Sequence, residues 1–220
     1  MKKDYKPYVY GSALLVIFIL ALQFDFIISK SIAGLKFNAL NSIMLLFTSF
    51  IWQIVILAGA SIIVFLNQKN SGGVFRMLEN GHEPSNNLRG FHLRHAKRRV
   101  LHLWLSIATG LAVSVALKMI IARPRPFVDG ISTISSLIKD SYTTWDLSFP
   151  SNHAVFAFAM LPFIPKKWFW PWLIISSIIT FSRVYFGLHY LSDVIAGASI
   201  GLLSAYFINK TLRPKNPEGF

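Results

Sequence analysis

The sequence predicts an all-α, polytopic membrane protein built as a bundle of six transmembrane helices. Three observations predict it. Hydrophobic residues make up 54% of the 220 residues and charged residues only 14%, where a soluble domain carries about 25% charge. Six apolar runs divide the chain. The basic residues between those runs favour alternate sides, as the positive-inside rule expects. A mean hydropathy of +0.51, together with 19 Phe and 6 Trp, suits a lipid environment with interfacial aromatics. Ordinary soluble and disordered classes are excluded. Cysteine is absent, which rules out disulfides, thiolate nucleophiles and cysteine metal sites.

A spanning helix needs about 20 mostly apolar residues. Tyr8 to Ile28, Ile43 to Leu66 and Val100 to Ala122 meet that length. Phe149 to Phe163 is shorter and opens with a Pro-Ser pair. Trp168 to Tyr185 is interrupted only by Pro171 near its start. Val194 to Ile208 is the sixth run, with Ser192 as its expected helix start and Asp193 in the first turn. Short runs span by tilting or by extending through polar flanks. Met1-Lys2-Lys3 is a basic start, but the apolar run after it is longer than a signal-peptide core, so an uncleaved anchor is expected. The weakly amphipathic stretch Lys30 to Ser42 is expected on the outer surface. Asn67 to Gly73 and Glu83 to Gly90 read as connectors, so residues 1–220 form one membrane domain.

With both termini cytoplasmic, 15 of the 22 Lys and Arg fall on the cytoplasmic side, seven of them between Asn67 and Arg99. The net charge of +13 is therefore a topology signal, and no nucleic-acid partner is expected. Seven cations remain outside: Lys30, Lys36, Lys118, Arg123, Arg125, Lys139 and Arg183. Lys118, Arg123, Arg125 and Arg183 sit at the ends of apolar runs. Such a place is expensive for a cation unless it faces a polar site or snorkels to the interface.

The same side holds two histidines. Pro150-Ser151-Asn152-His153 leads into the fourth run. A turn that opens a helix presents free backbone N–H groups, an anion site; Ser151 or Asn152 acting as a plain N-cap is the simpler alternative. Ser182-Arg183 is followed by His189 and Asp193, which share a face if the turn is helical. A carboxylate there fixes the imidazole tautomer. Together the outer face gathers cations, a helix N-terminus, a histidine able to act as nucleophile and a second able to act as general acid. Asp129, Asp140, Asp146 and Asp193 lack metal-site spacing, so neither a metal nor another cofactor is expected.

These residues resemble the type 2 phosphatidic acid phosphatases, which are integral membrane lipid phosphatases. Lys118, six residues and Arg125-Pro126 match the first family motif. Pro150-Ser151-Asn152-His153 is similar to Pro-Ser-Gly-His. Ser182-Arg183, His189 and Asp193 match the third. The resemblance implies that His189 is the nucleophile and forms a phosphohistidine. Asp193 supports it, and His153 protonates the leaving group and then activates water. Lys118, Arg125, Ser151 and Arg183 hold the phosphate oxygens. The implied substrate is a lipid phosphate or diphosphate, with a weak lean to polyprenyl diphosphates, and the implied location is the extracytoplasmic face of a cell membrane. Asn152 stands where the family has Gly, and its amide is a further candidate contact to a second phosphate or a head group. Arg123 is an extra cation with two readings, a diphosphate contact or a lipid head-group contact. Competing functions are a haloperoxidase-like oxyanion site and a non-catalytic lipid-binding or transport protein.

Overall fold

The computed structural model describes residues 6–35, 38–70, 86–131 and 147–212. Lys2, Lys3, Lys36, Arg76, Lys139, Asp140, Asp146, Arg213 and Lys215 lie outside them, as does the centre of the long basic loop. The described residues are all helical or loop. In order they form α1 (Lys6–Ala33), α2 (Asn38–Thr48), α3 (Phe50–Asn70), α4 (Asn86–Ile121), α5 (Asn152–Met160), α6 (Phe169–Tyr185) and α7 (Leu191–Thr211). Short 3-10 turns at Leu161–Phe163 and Lys166–Trp168 link α5 to α6.

Three described stretches are long and apolar enough to cross a bilayer: Leu15–Ile32, Leu93–Ile121 and Leu191–Thr211. A fourth is the pair α2–α3, if its two parts count as one span. Large apolar side chains such as Leu15, Ile19, Ile51, Ile120 and Phe207 are exposed on these helices. A helix that shows apolar residues both to its neighbours and to the outside belongs in lipid.

Four elements differ from the sequence expectation. The run Ile43 to Leu66 is not continuous: it breaks at Ser49, and its two parts meet at 62°. The carbonyl of Thr48 is turned outward there and accepts from groups on α5 and α6, so tertiary hydrogen bonds take the place of the helical ones. Secondly, α4 begins at Asn86 rather than Val100, and the basic stretch Arg89 to Arg99 is helical instead of loop. The described part of the stretch Lys30 to Ser42 is divided between two helices. Its start is the last turn of α1 and its end the first turns of α2, where Asn41 Oδ1 accepts a 2.5 Å bond from the Tyr185 hydroxyl. Lastly, α7 is capped by Tyr190 and not Ser192. The Tyr190 N–H donates to Asp193 Oδ2 at 2.8 Å, a reciprocal arrangement that satisfies orphan groups of the first turn.

At the centre α7 packs against α5, α4 and α1, and α5 also meets α4 and α6. One apolar cluster joins Ala60 and Val64 of α3, Leu103 and Ile107 of α4, Met160 of α5, Trp172 of α6 and Ala205 of α7. Small residues let helix backbones approach closely in a membrane. Gly197 of α7 shows why this matters for the site. A Cβ there would stand 2.4 Å from the Ser151 carbonyl oxygen and 2.9 Å from Ala154 Cβ. Neither backbone nor a packed alanine can yield cheaply. Gly197→Ala is therefore expected to lower stability by about 1–3 kcal/mol through overpacking and to push the Ser151 turn out of place. Thermal unfolding in detergent and turnover should fall together; unchanged values of both would contradict this packing.

Candidate active site

Three chain segments converge at one end of the bundle. The first follows α4. Ala122 adopts a left-handed conformation with φ 49°, which ends the helix, and Pro124 prevents its continuation. The chain then folds back as Arg123-Pro124-Arg125-Pro126. The second segment, Leu147 to Ser151, runs beside it: the Ser148 N–H donates to the Arg123 carbonyl at 2.8 Å, and the Ser148 hydroxyl donates to the Pro124 carbonyl at 2.9 Å. Lys118 Nζ donates to the Leu147 carbonyl at 2.7 Å, which pins this segment to α4. The third is the turn between α6 and α7. Gly187, at φ 64°, supplies the left-handed residue that closes α6. The Leu188 and His189 N–H groups then return to the Arg183 carbonyl at 3.0 and 3.2 Å.

His189 is buried in that turn. Its Nδ1 lies 3.6 Å from Asp193 Oδ2 and its Nε2 3.5 Å from Arg125 Nη1. His189 and Asp193 are brought to 3.6 Å without a hydrogen bond, the buried Nδ1 having no hydrogen-bond partner among the described residues, and not along a helix face, because His189 precedes the first turn of α7. Burial, followed by the charges of Arg125, Arg183 and Lys118, holds the His189 imidazole well below its ordinary value of 6.5. Neutral imidazole, the nucleophilic form, is therefore the form present at neutral pH. Arg125 also donates to the Leu188 carbonyl at 2.9 Å, so its guanidinium is fixed beside the histidine.

Ser151 is the N-cap of α5, as expected, yet its hydroxyl makes no cap bond. That buried Oγ has no hydrogen-bond partner among the described residues. Its backbone N–H donates to the Asp193 carbonyl at 3.0 Å, which ties the α5 turn to the start of α7. An orphaned hydroxyl at a helix N-terminus beside cations suits an oxyanion. His153 Nε2 lies 3.3 Å from the Thr48 carbonyl, and Arg183 Nη1 donates to Thr48 Oγ1 at 2.6 Å. The broken end of α2 thus covers the site. Among the described residues no group of three or more His, Asp or Glu is arranged to hold a metal ion.

Two residues are placed differently from their sequence-based roles. Asn152 does not aim its carbonyl at a ligand: its Oδ1 accepts from Ser114 Oγ at 2.6 Å and fastens α5 to α4. Arg123 meets two carboxylates, Asp25 and Asp193, at 2.9 Å each. Asp25, Thr48, Ser114 and Ser192 were missed by motif reasoning. For Asp25 a signal existed, since an acidic residue inside an apolar run is expensive and marks a polar partnership.

The fold and site define a class: a helical membrane protein whose bundle end holds two histidines, a carboxylate and a set of cations around an oxyanion cradle. The chain belongs to the PAP2 superfamily, whose family model matches residues 99–217. It is 33% identical over 118 residues to the bacitracin transport permease protein BcrC of Bacillus licheniformis, covering 52% of this chain and 57% of that one. It is 29% identical over 125 residues to the undecaprenyl-diphosphatase BcrC of Bacillus subtilis (strain 168), covering 54% and 62%. The match to a lipid A 4'-phosphatase of Porphyromonas gingivalis is 29% identical over 103 residues and covers 42% of each chain. The matched stretch spans less than two thirds of the length of these relatives. A crystal structure of the transmembrane PAP2 type phosphatidylglycerolphosphate phosphatase from Bacillus subtilis has the same fold, with a TM-score of 0.59, 21% identity and coverage of 97% of this chain and 100% of that one.

Proposed function

We propose that this protein is a membrane lipid phosphatase that hydrolyses a lipid phosphate or diphosphate through a phosphohistidine at His189. The observation that carries the reading is the two-sided setting of that imidazole: Nδ1 backed by Asp193, Nε2 facing Arg125. In the first step the Nε2 lone pair forms a bond to phosphorus and the bond from phosphorus to the leaving oxygen breaks. That oxygen takes a proton from His153. Asp193 stabilises the positive charge on the phosphorylated ring. In the second step water attacks phosphorus and gives its proton to His153. The P–N bond breaks, its electrons return to Nε2, and inorganic phosphate leaves. Lys118, Arg125, Arg183 and the Ser151 turn hold the phosphoryl oxygens.

Six helical rods cross the bilayer in this reading: α1, the bent α2–α3 pair, α4, α5 with its 3-10 turn, α6 and α7. The basic stretches then place both termini in the cytoplasm and the site on the outer face. A polyprenyl diphosphate is the favoured substrate, in keeping with the named activity of the Bacillus subtilis BcrC relative. An apolar cavity of about 380 Å³ lies between α1, α4 and α7, lined by Leu15, Phe18, Leu117, Phe149, Ala196, Ser199 and Ile200. Two of its lining residues neighbour the site along the chain, Leu117 next to Lys118 and Phe149 two residues before Ser151. It is suited to the hydrocarbon chain. Ser199→Trp, which fills it, should raise KM for a long-chain lipid phosphate by about 10-fold, the effect of a lost apolar contact worth roughly 1.4 kcal/mol. A short water-soluble phosphate should be hydrolysed as before; equal effects on both would remove the cavity from substrate binding.

The deciding experiment is phosphate release by purified protein in detergent from a panel of polyprenyl diphosphate, phosphatidylglycerol phosphate, phosphatidic acid and lipid A phosphate. One arm contains chelator and one contains vanadate, a mimic of the transferring phosphoryl group. The expected result is release from at least one lipid, unaffected by chelator and inhibited by vanadate. Loss of release with chelator, restored by magnesium, would overturn the mechanism; no release from any lipid would overturn the function.

A further inference from the structure

Asp25 is buried in the apolar helix α1, far from every motif in sequence. Its Oδ2 accepts from Arg123 Nη2 at 2.9 Å and from the Ser192 hydroxyl, and its Oδ1 accepts from the Ser192 N–H at 2.9 Å. Arg123 is bound on its other side. Its Nη1 donates to Asp193 Oδ1 at 2.9 Å and to Ser192 Oγ at 2.7 Å, and its guanidinium carbon stands 4.0 Å from the Tyr190 ring centre. Asp193 keeps its other oxygen, Oδ2, for the Tyr190 N–H and for His189. The chain of contacts is therefore Asp25, Arg123 with Ser192, Asp193 and His189.

We infer that Asp25 and Arg123 are positioning residues for the reaction: Asp25 holds Arg123 so that Arg123 orients the Asp193 carboxylate against His189 without cancelling its charge. The inference rests on the phosphohistidine reading above. Side-chain exposure is 4% for Asp25 and 0% for Asp193, and at such depth charges are poorly screened. Arg123 alone would neutralise Asp193, leaving little negative field for the positive charge that forms on the phosphorylated imidazole. With Asp25 ionised, two carboxylates flank one guanidinium and the group carries one net negative charge. That charge reaches His189 through Asp193. The geometry also anchors α1 to the start of α7 at the level of the site, since Ser192 is held through both its hydroxyl and its backbone N–H. Arg123 is thereby held between two carboxylates.

The test is a double-mutant cycle on the purified protein, read with a lipid diphosphate and with an aryl phosphate. Outer partners that orient a metal-bound imidazole are worth about 10- to 100-fold, and an outer partner of a nucleophilic imidazole is expected to act on the same scale. Asp25→Asn is expected to lower kcat by that factor on both substrates and to weaken vanadate binding in parallel. KM and inhibition by inorganic phosphate should stay within about twofold, because ground-state binding does not use the charge on the imidazole. Asp25→Glu, which keeps the charge, should recover part of kcat. Arg123→Gln should also lower kcat, and the double variant should be little worse than the poorer single one, since both act through Asp193. If Asp25→Asn instead lowered KM for the diphosphate alone, Arg123 would be a substrate cation restrained by Asp25, and the inference would be wrong. Fully multiplicative losses in the cycle would also overturn it. Should Asp25→Asn fail to accumulate in the membrane, Ser192→Ala reads the same link, with a smaller kcat loss expected at constant KM. Vanadate affinity, measured by calorimetry, separates the two levels of the proposal. Wild-type protein that binds vanadate but hydrolyses no phosphate refutes the function, while equal vanadate affinity in wild type and Asp25→Asn refutes the positioning role.

Discussion

His189→Ala is expected to abolish turnover and the phosphoenzyme together. Removing a catalytic nucleophile costs on the order of 10⁴- to 10⁶-fold, and no other described group stands where Nε2 does, between Arg125 and the Asp193-backed side of the ring. The check is rapid quench of wild type and variant with ³²P-labelled substrate, followed by acid and alkali treatment of the trapped protein. An acid-labile, alkali-stable phosphoenzyme is expected in wild type only. Because His189 is buried, His189→Gln, which fills more of the space, accompanies it, and thermal unfolding of both variants controls for folding. A phosphoenzyme of normal yield in either variant would move the nucleophile elsewhere.

The second large effect belongs to His153 and depends on the leaving group. General acid catalysis contributes about 10²- to 10⁴-fold, and a lipid alkoxide needs the proton far more than an activated aryl oxide does. His153→Ala should therefore lose at least about 100-fold on a lipid monophosphate and about 10-fold or less on an aryl phosphate. The phosphoenzyme should still form on the aryl substrate and then decay slowly, because the same imidazole accepts the proton of the attacking water. Equal losses on the two substrates would remove the general-acid role, and loss of the phosphoenzyme with the aryl substrate would exchange the roles of the two histidines.

The residues that the fold gathers at one end of the bundle were easier to single out in the sequence than the course of the helices. Lys118, Arg125, Ser151, His153, Arg183, His189 and Asp193 are visible in sequence because each is a polar residue at the edge of an apolar run, where an unpaired charge is costly and a functional one is retained. The chemistry of each residue type then restricts its role. The break at Ser49 was not legible. Neither Gly nor Pro marks it, and the bend depends on Arg183 and His153 reaching the Thr48 carbonyl from helices more than 100 residues away in sequence. The start of α4 at Asn86 was hidden for a related reason: polar, basic residues read as loop, yet they continue an apolar helix beyond the bilayer, with no proline and only Gly90 and Gly110 between Asn86 and Ile121.

By itself the sequence determined that this is a helical membrane protein and singled out the polar side chains at the ends of its apolar runs as a candidate site. Both follow from local properties: the length of apolar runs, the placement of charge and the reactivity of imidazole. Only the tertiary structure decided which groups of the protein Asn152 and Arg123 meet. On sequence alone each is a polar group beside an anion site and reads as a ligand to it. In the fold Asn152 finds Ser114 across the α4–α5 contact, and Arg123 finds Asp25 and Asp193 on two other helices. The physical reason is that a buried polar group must be paired, and the partner that satisfies it is set by which helices pack together and not by which residues adjoin it along the chain.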